Sequence, residues 1–176
     1  MKPVIFAAAI TLASAAPGAG LVANAQTAPP ISIQTVLMEG LEGCISLKSG
    51  GNEAAMAQRL AFGPVEDNNT RWKTVGGRNV SLRYETAQVN PTTVLHNCGV
   101  GIEPPIDDAS MLPRVTARAE ALGLQRRPDW TTTQGGKVTE FSTADNGITL
   151  TWVRFEPSSQ RPKGMSLLVY SWVAGR

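Results

Sequence analysis

Apolar residues recur every three or four positions near the start of this chain. Ile33, Leu37, Leu41, Cys44 and Leu47 fall on one stripe, the pattern of a helix with one face against a core. Gly40 and Gly43 lie inside that helix, where each weakens it by about 1 kcal/mol relative to alanine; close packing is the expected reason for them. Ser49-Gly50-Gly51-Asn52 breaks the stripe. A shorter helix then covers residues 53–62, with Met56 and Leu60 one turn apart and an end at Gly63-Pro64. A third helix is predicted over residues 110–122. Ser110 serves as its N-cap, Pro113 sits in its first turn, and Gly123-Leu124 closes it as a Schellman motif.

Elsewhere the period is two. Residues 71–75, 80–86, 93–102, 130–134, 138–143, 148–156 and 165–173 read as strands. Val80, Leu82 and Tyr84 point one way, and Ser81, Arg83 and Glu85 the other. Val94, His96, Cys98, Val100 and Ile102 share one face of the next strand. Asn146-Gly147 between two strands predicts a type I′ hairpin turn. The last strand is apolar on both faces, which places it centrally in its sheet. The fold class is therefore α+β: an antiparallel sheet of about six strands with two to three helices packed on it. A short echo, Trp72, Thr74 and Gly76-Gly77-Arg78 against Trp130, Thr132 and Gly135-Gly136-Lys137, suggests two helix-plus-meander halves.

The first 25 residues belong to neither pattern. Lys2, an apolar run over residues 4–12 and Ala23-Asn24-Ala25 before Gln26 make a secretory signal peptide with an A-x-A cleavage site. Pro17, Gly18 and Gly20 interrupt the run, which is too short for the roughly 20 apolar residues of a membrane span. Residues 26–30 form a short leader, and residues 31–176 a single globular α+β domain. The expected location is periplasmic or secreted. There an even cysteine count reads as a disulfide, so Cys44 and Cys98, 54 positions apart, are expected to pair. In layout the chain resembles small exported bacterial proteins, a resemblance without a diagnostic motif that implies no activity and no site.

Composition narrows the chemistry. With 16 basic and 14 acidic side chains, the chain lacks the concentrated positive charge that nucleic acid requires. His96 is the sole histidine, and with two cysteines it falls short of the four ligands of structural zinc; no metal and no cofactor is expected. His96-Asn97-Cys98 holds the residue types of a cysteine-protease site, but adjacent strand residues point to opposite faces. Asp107 and Asp108 precede a helix, where carboxylates are favoured without any catalytic role. No nucleophile elbow, phosphate loop or dinucleotide fingerprint occurs. The residues that remain are Arg126, Arg127 and Trp130, types enriched at binding hot spots, with Arg161-Pro162-Lys163 as a second basic tip. They predict a non-catalytic binding module for an anionic glycan, a cell-wall polymer or a protein. The alternative is an envelope-polymer hydrolase that uses His96.

Overall fold

The computed structural model describes residues 31–175; the signal peptide and leader expected over residues 1–30 lie outside the described residues. Among the described residues there are three α-helices, α1 (Ile33–Lys48), α2 (Glu53–Arg59) and α3 (Asp108–Ala121), and a short 3-10 turn, Asp67–Asn69. Six strands have six or more residues: β2 (Thr70–Val75), β3 (Arg78–Asn90), β4 (Thr93–Glu103), β7 (Lys137–Ser142), β8 (Ile148–Phe155) and β9 (Met165–Ala174). Three two-residue strands trim the borders: β1 (Val65–Glu66), β5 (Gln125–Arg126) and β6 (Trp130–Thr131). The nine form one antiparallel sheet in the order β1-β2-β3-β4-β9-β8-β7-β5, with β6 also on β7. The apolar last strand is central, as its composition requires.

Each half is a helix layer followed by a meander, α1 and α2 before β2-β3-β4, then α3 before β7-β8-β9, and the meanders join at β4 and β9. The sequence echo does not follow this arrangement. Counted outward from the central pair, Gly76-Gly77 joins the second and third strands, whereas Gly135-Gly136 joins the third and fourth. The echo is recurring turn chemistry at non-equivalent places.

Local expectations needed four corrections. The type I′ turn is at Gly76-Gly77, with φ of 55° and 75°, where it links Val75 to Arg78. At the other hairpin only Asn146 has a positive φ, 54°. There Asp145 Oδ1 accepts from Gly147 N–H and Thr143 Oγ1, building a longer turn from side chains. Helix α3 starts earlier than expected, with Asp107 as N-cap, so Pro113 falls in its second turn. Ser166 Oγ accepts from the Ile106 N–H and Trp152 Nε1 donates to Asp108, which anchors the chain just before and at the new start. Helix α2 ends at Arg59 because Ala61 adopts φ 56° while Phe62 and Ala61 N–H groups return to Ala57 and Gln58. The ending predicted for α3 holds: Leu124 N–H bonds Ala119 O and Gly123 N–H bonds Glu120 O, with Gly123 at φ 71°. The strand expected over residues 130–134 stops at Thr131, because Thr132 bonds Gly136 through both its N–H and its hydroxyl.

All three helices pack on one face of the sheet. Leu37, Leu41, Val80, Leu82, Val100, Met111, Val115, Leu150, Trp152 and Leu168 form its core, each at 1% exposure or less. Gly40 and Gly43 do serve close packing: a Cβ on the first would strike Val100, and on the second Met56. Arg118 of α3 grips Glu42 of α1 through two nitrogens. Cys44 and Cys98 are bonded, Cα to Cα 5.4 Å, and pin α1 to β4 within that core. Closing a loop of this length contributes about 4 kcal/mol in the chain-entropy account.

Candidate functional site

Strand side chains alternate between faces, so the residues between the core positions line the other, helix-free face. Cross-strand pairing aligns them in rows. One row is Thr70, Arg83, Gly99, Val169 and Thr151; the next is Trp72, Ser81, Gly101, Leu167 and Val153. Glu85, Asn97 and Ser171 lie one step to the side. Gly99 and Gly101 leave the middle of both rows without a side chain. A Cβ on Gly101 would meet Ser81 Oγ at 2.5 Å and Leu167 Cδ2 at 2.8 Å, and one on Gly99 would meet Val169 at 3.3 Å. The result is a groove of about 360 Å³ along β4.

Its two banks differ. On the β2–β3 side stand Trp72, Thr70, Arg83 and Glu85, with Arg83 and Glu85 joined at 2.6 Å and both half-exposed. On the β9 side stand Met165, Leu167 and Val169, apolar and partly buried. Arg161 closes one end; its guanidinium lies 4.1 Å from the Phe155 ring centre and bonds Gln134 and Met165 Sδ. Asn97 Oδ1 accepts from Ser171 Oγ at 2.7 Å, which fixes the amide over the groove floor. Two guanidiniums face one carboxylate, so the lining carries a net positive charge.

The residues singled out by sequence do not converge. Arg127 is bound internally, with Nε on Ser142 Oγ at 2.6 Å and Nη2 on Thr143 O and Asn146 Oδ1. Arg126 is paired with both oxygens of Asp129. Trp130 is 50% exposed and borders a separate cavity of about 320 Å³ with Asp108, Leu112, Asp129, Lys137 and Trp152. Acidic groups, not the two arginines, dominate that cavity. Arg154 lies 3.0 Å from Glu156 and 3.7 to 3.8 Å from Asp107 and Asp108, so those carboxylates belong to a charge cluster at the start of α3.

His96 is on the helix-bearing face, the reverse of the groove. Its ring stacks on Trp172, centroids 4.8 Å apart and planes 5° apart, and its Nδ1 is 2.8 Å from Tyr84 Oη. Among the described residues no group of three or more His, Cys, Asp and Glu side chains is placed to hold a metal ion. No helix among them is long and apolar enough to cross a membrane. Two ionisable groups are shifted, both outside the groove floor. Burial lowers the Lys73 pKa, against the opposing pull of Glu39; its ammonium donates to Leu60 O and lies over Phe62. Burial raises the Tyr170 pKa, with Arg118 opposing.

Nothing in the residue list near Arg126 pointed to this groove. The signal lay in Gly99 and Gly101, two glycines on one face of a strand otherwise rich in β-branched residues, a pattern that marks close backbone approach. Compared with protein families, curated proteins and solved structures, the chain matches none.

Proposed function

We propose that this chain is an exported, non-catalytic binding domain, periplasmic or secreted, that holds an anionic glycan or cell-wall polymer segment along the groove floored by Gly99 and Gly101. The observation that carries this reading is the contrast between the banks. A pyranose ring has an apolar face and a polar rim, which suit Leu167 and Val169 on one side and Arg83, Glu85 and Asn97 on the other. Trp72 adds an aromatic surface, and Arg83 with Arg161 favours carboxylate or phosphate substituents. Export rests on the signal-peptide pattern of residues 1–25 and agrees with the buried disulfide. The groove holds one carboxylate, tied to Arg83, and no imidazole. The hydrolase alternative therefore draws no support, since His96 cannot reach a ligand bound on the reverse of β4.

Titration of the protein with oligosaccharides bearing carboxylates, and with their neutral counterparts, tests the site by amide chemical shifts. Shifts are expected at Asn97, Gly99, Gly101 and Val169, with weaker binding as salt rises. Arg83→Ala should weaken the anionic series about tenfold, while Arg126→Ala leaves it unchanged. Equal binding of charged and neutral sugars, or shifts confined to Trp130 and its neighbours, overturns the assignment. Intact mass of the exported product should begin at Gln26.

A further inference from the structure

The two guanidiniums of the groove are not equivalent. Arg83 is half-exposed and already neutralised by Glu85 at 2.6 Å. Arg161 stands in the loop of residues 156–164, between β8 and β9, and is held through both its backbone and its side chain. Its N–H and C=O exchange hydrogen bonds with Ser158 at 3.1 and 3.0 Å, Ser158 Oγ accepts from the same N–H, and Gly164 N–H donates to its carbonyl. The guanidinium rests on the Phe155 ring, which fills the space that a Cβ on Gly136 would need. Nη1 reaches Met165 Sδ at 3.0 Å, and Nη2 donates to Gln134 Oε1 at 2.9 Å. Among the described residues no carboxylate pairs with it; Glu156 of the same loop is taken by Arg154 at 3.0 Å.

A cation fixed by neutral partners has lost its rotamer freedom without losing its charge. An anion meets it without the cost of ordering a long side chain, and without displacing a carboxylate as it must at Arg83. Two of the five N–H donors are used, which leaves three for a ligand, and a carboxylate offers two oxygens to such a fork. Building on the groove assignment above, we infer that Arg161 is the anchor of the site and binds the carboxylate of a terminal residue, so that the ligand is held by one end. The place of Arg161 sets the direction. It lies beside Met165, next to the Ser166 that pairs with Ile102, and so at the Gly101 end of the floor. There its bond to Gln134 joins the β6–β7 and β8–β9 loops across the end of the groove. A continuous chain would have to cross that bridge, whereas a chain end stops at it and leaves over Asn97.

Isothermal titration compares two oligosaccharides of equal length, neutral but for one uronate, placed at a chain end in one and inside the chain in the other. The end-placed carboxylate should bind about tenfold tighter. Arg161→Gln should erase that preference, and Gln134→Ala, which keeps the guanidinium but releases it, should cut it severalfold. Lys163→Gln, in the same loop but outside the groove lining, should leave it intact, with melting temperatures unchanged throughout. Equal affinity for the two probes, or a preference that survives both Arg161→Gln and Gln134→Ala, overturns the inference; amide shifts at Gly99 and Val169 in the same samples then leave the groove assignment standing. Absence of those shifts with either probe fails the groove assignment and takes this inference with it.

Discussion

The two faces of strands β3, β4 and β9 are encoded by alternate residues of the same segments, yet they behave as different materials. Toward the helices stand Val80, Leu82, Cys98, Val100, Leu168 and Tyr170, all buried at 2% exposure or less. Away from the helices stand Ser81, Arg83, Asn97, Gly99, Gly101, Leu167 and Val169, smaller or partly exposed. Burial of large apolar side chains stabilises the fold by about 1.5 to 3 kcal/mol each, so nearly all the stability resides on the first face. The second face buries a smaller cluster, Val138, Val153 and Phe155 with Met165 and Leu167 packed on it, and its stretch along Gly99 is left to be shaped for a ligand.

That separation is strained first by the largest expected effect. Trp152→Ala on the helix-bearing face removes a fully buried ring and strands Asp108 Oδ1, its indole partner; a loss of about 3 to 5 kcal/mol is expected in urea denaturation. A loss below about 1 kcal/mol would mean the core is not where the burial places it. Next, Cys44→Ala with Cys98→Ala should cost about 2 to 5 kcal/mol and leave ligand affinity intact below the lowered midpoint. Affinity lost at unchanged stability would make the disulfide a functional group. Gly99→Leu fills the groove floor, and its calorimetric signature should be the reverse: ligand affinity down by tenfold or more, stability changed by no more than about 1 kcal/mol. Ala61→Gly relieves the left-handed residue after α2 and should add about 1 kcal/mol, with binding untouched. Smallest is a pH effect. The folded chain keeps the Tyr170 proton that the unfolded chain releases near pH 10, so this residue's contribution is complete below pH 10 and fades above it as the raised pKa is passed. Lys73, with its lowered pKa, contributes a trend of opposite sign. Alkaline melts of wild type against Tyr170→Phe cancel the lysine and isolate the fall, which should vanish in the variant.

How much of this was legible depended on range. The α1 stripe, the Schellman ending at Gly123 and the six longer strands are written within single segments, and periodicity exposed them. The bonded cysteines were legible from their number and their places on apolar faces. The groove was not, because its Trp72, Arg83 and Gly99 side meets Leu167 and Val169 only through the pairing of β4 with β9, a contact between segments far apart in the chain. Residue type alone also left out how Arg126 and Arg127 are held. Asp129, Ser142 and Asn146 engage both guanidiniums, and nothing local announces that Ser142 will lie under Arg127. Asn146-Gly147 failed similarly, since Asp145 and Thr143 compete for the backbone groups that a tight turn would use.

The position of the disulfide has a temporal consequence. A chain made from its N-terminus presents Cys44 and Cys98 before α3 or any strand of the second meander exists. The bond can therefore form on half a protein, locking α1 across β4 while that strand's other edge is still bare. When β9 arrives last, it docks on a template already held by a covalent bond, so the slow, long-range pairing that completes the groove becomes the final step of assembly and oxidation one of the first.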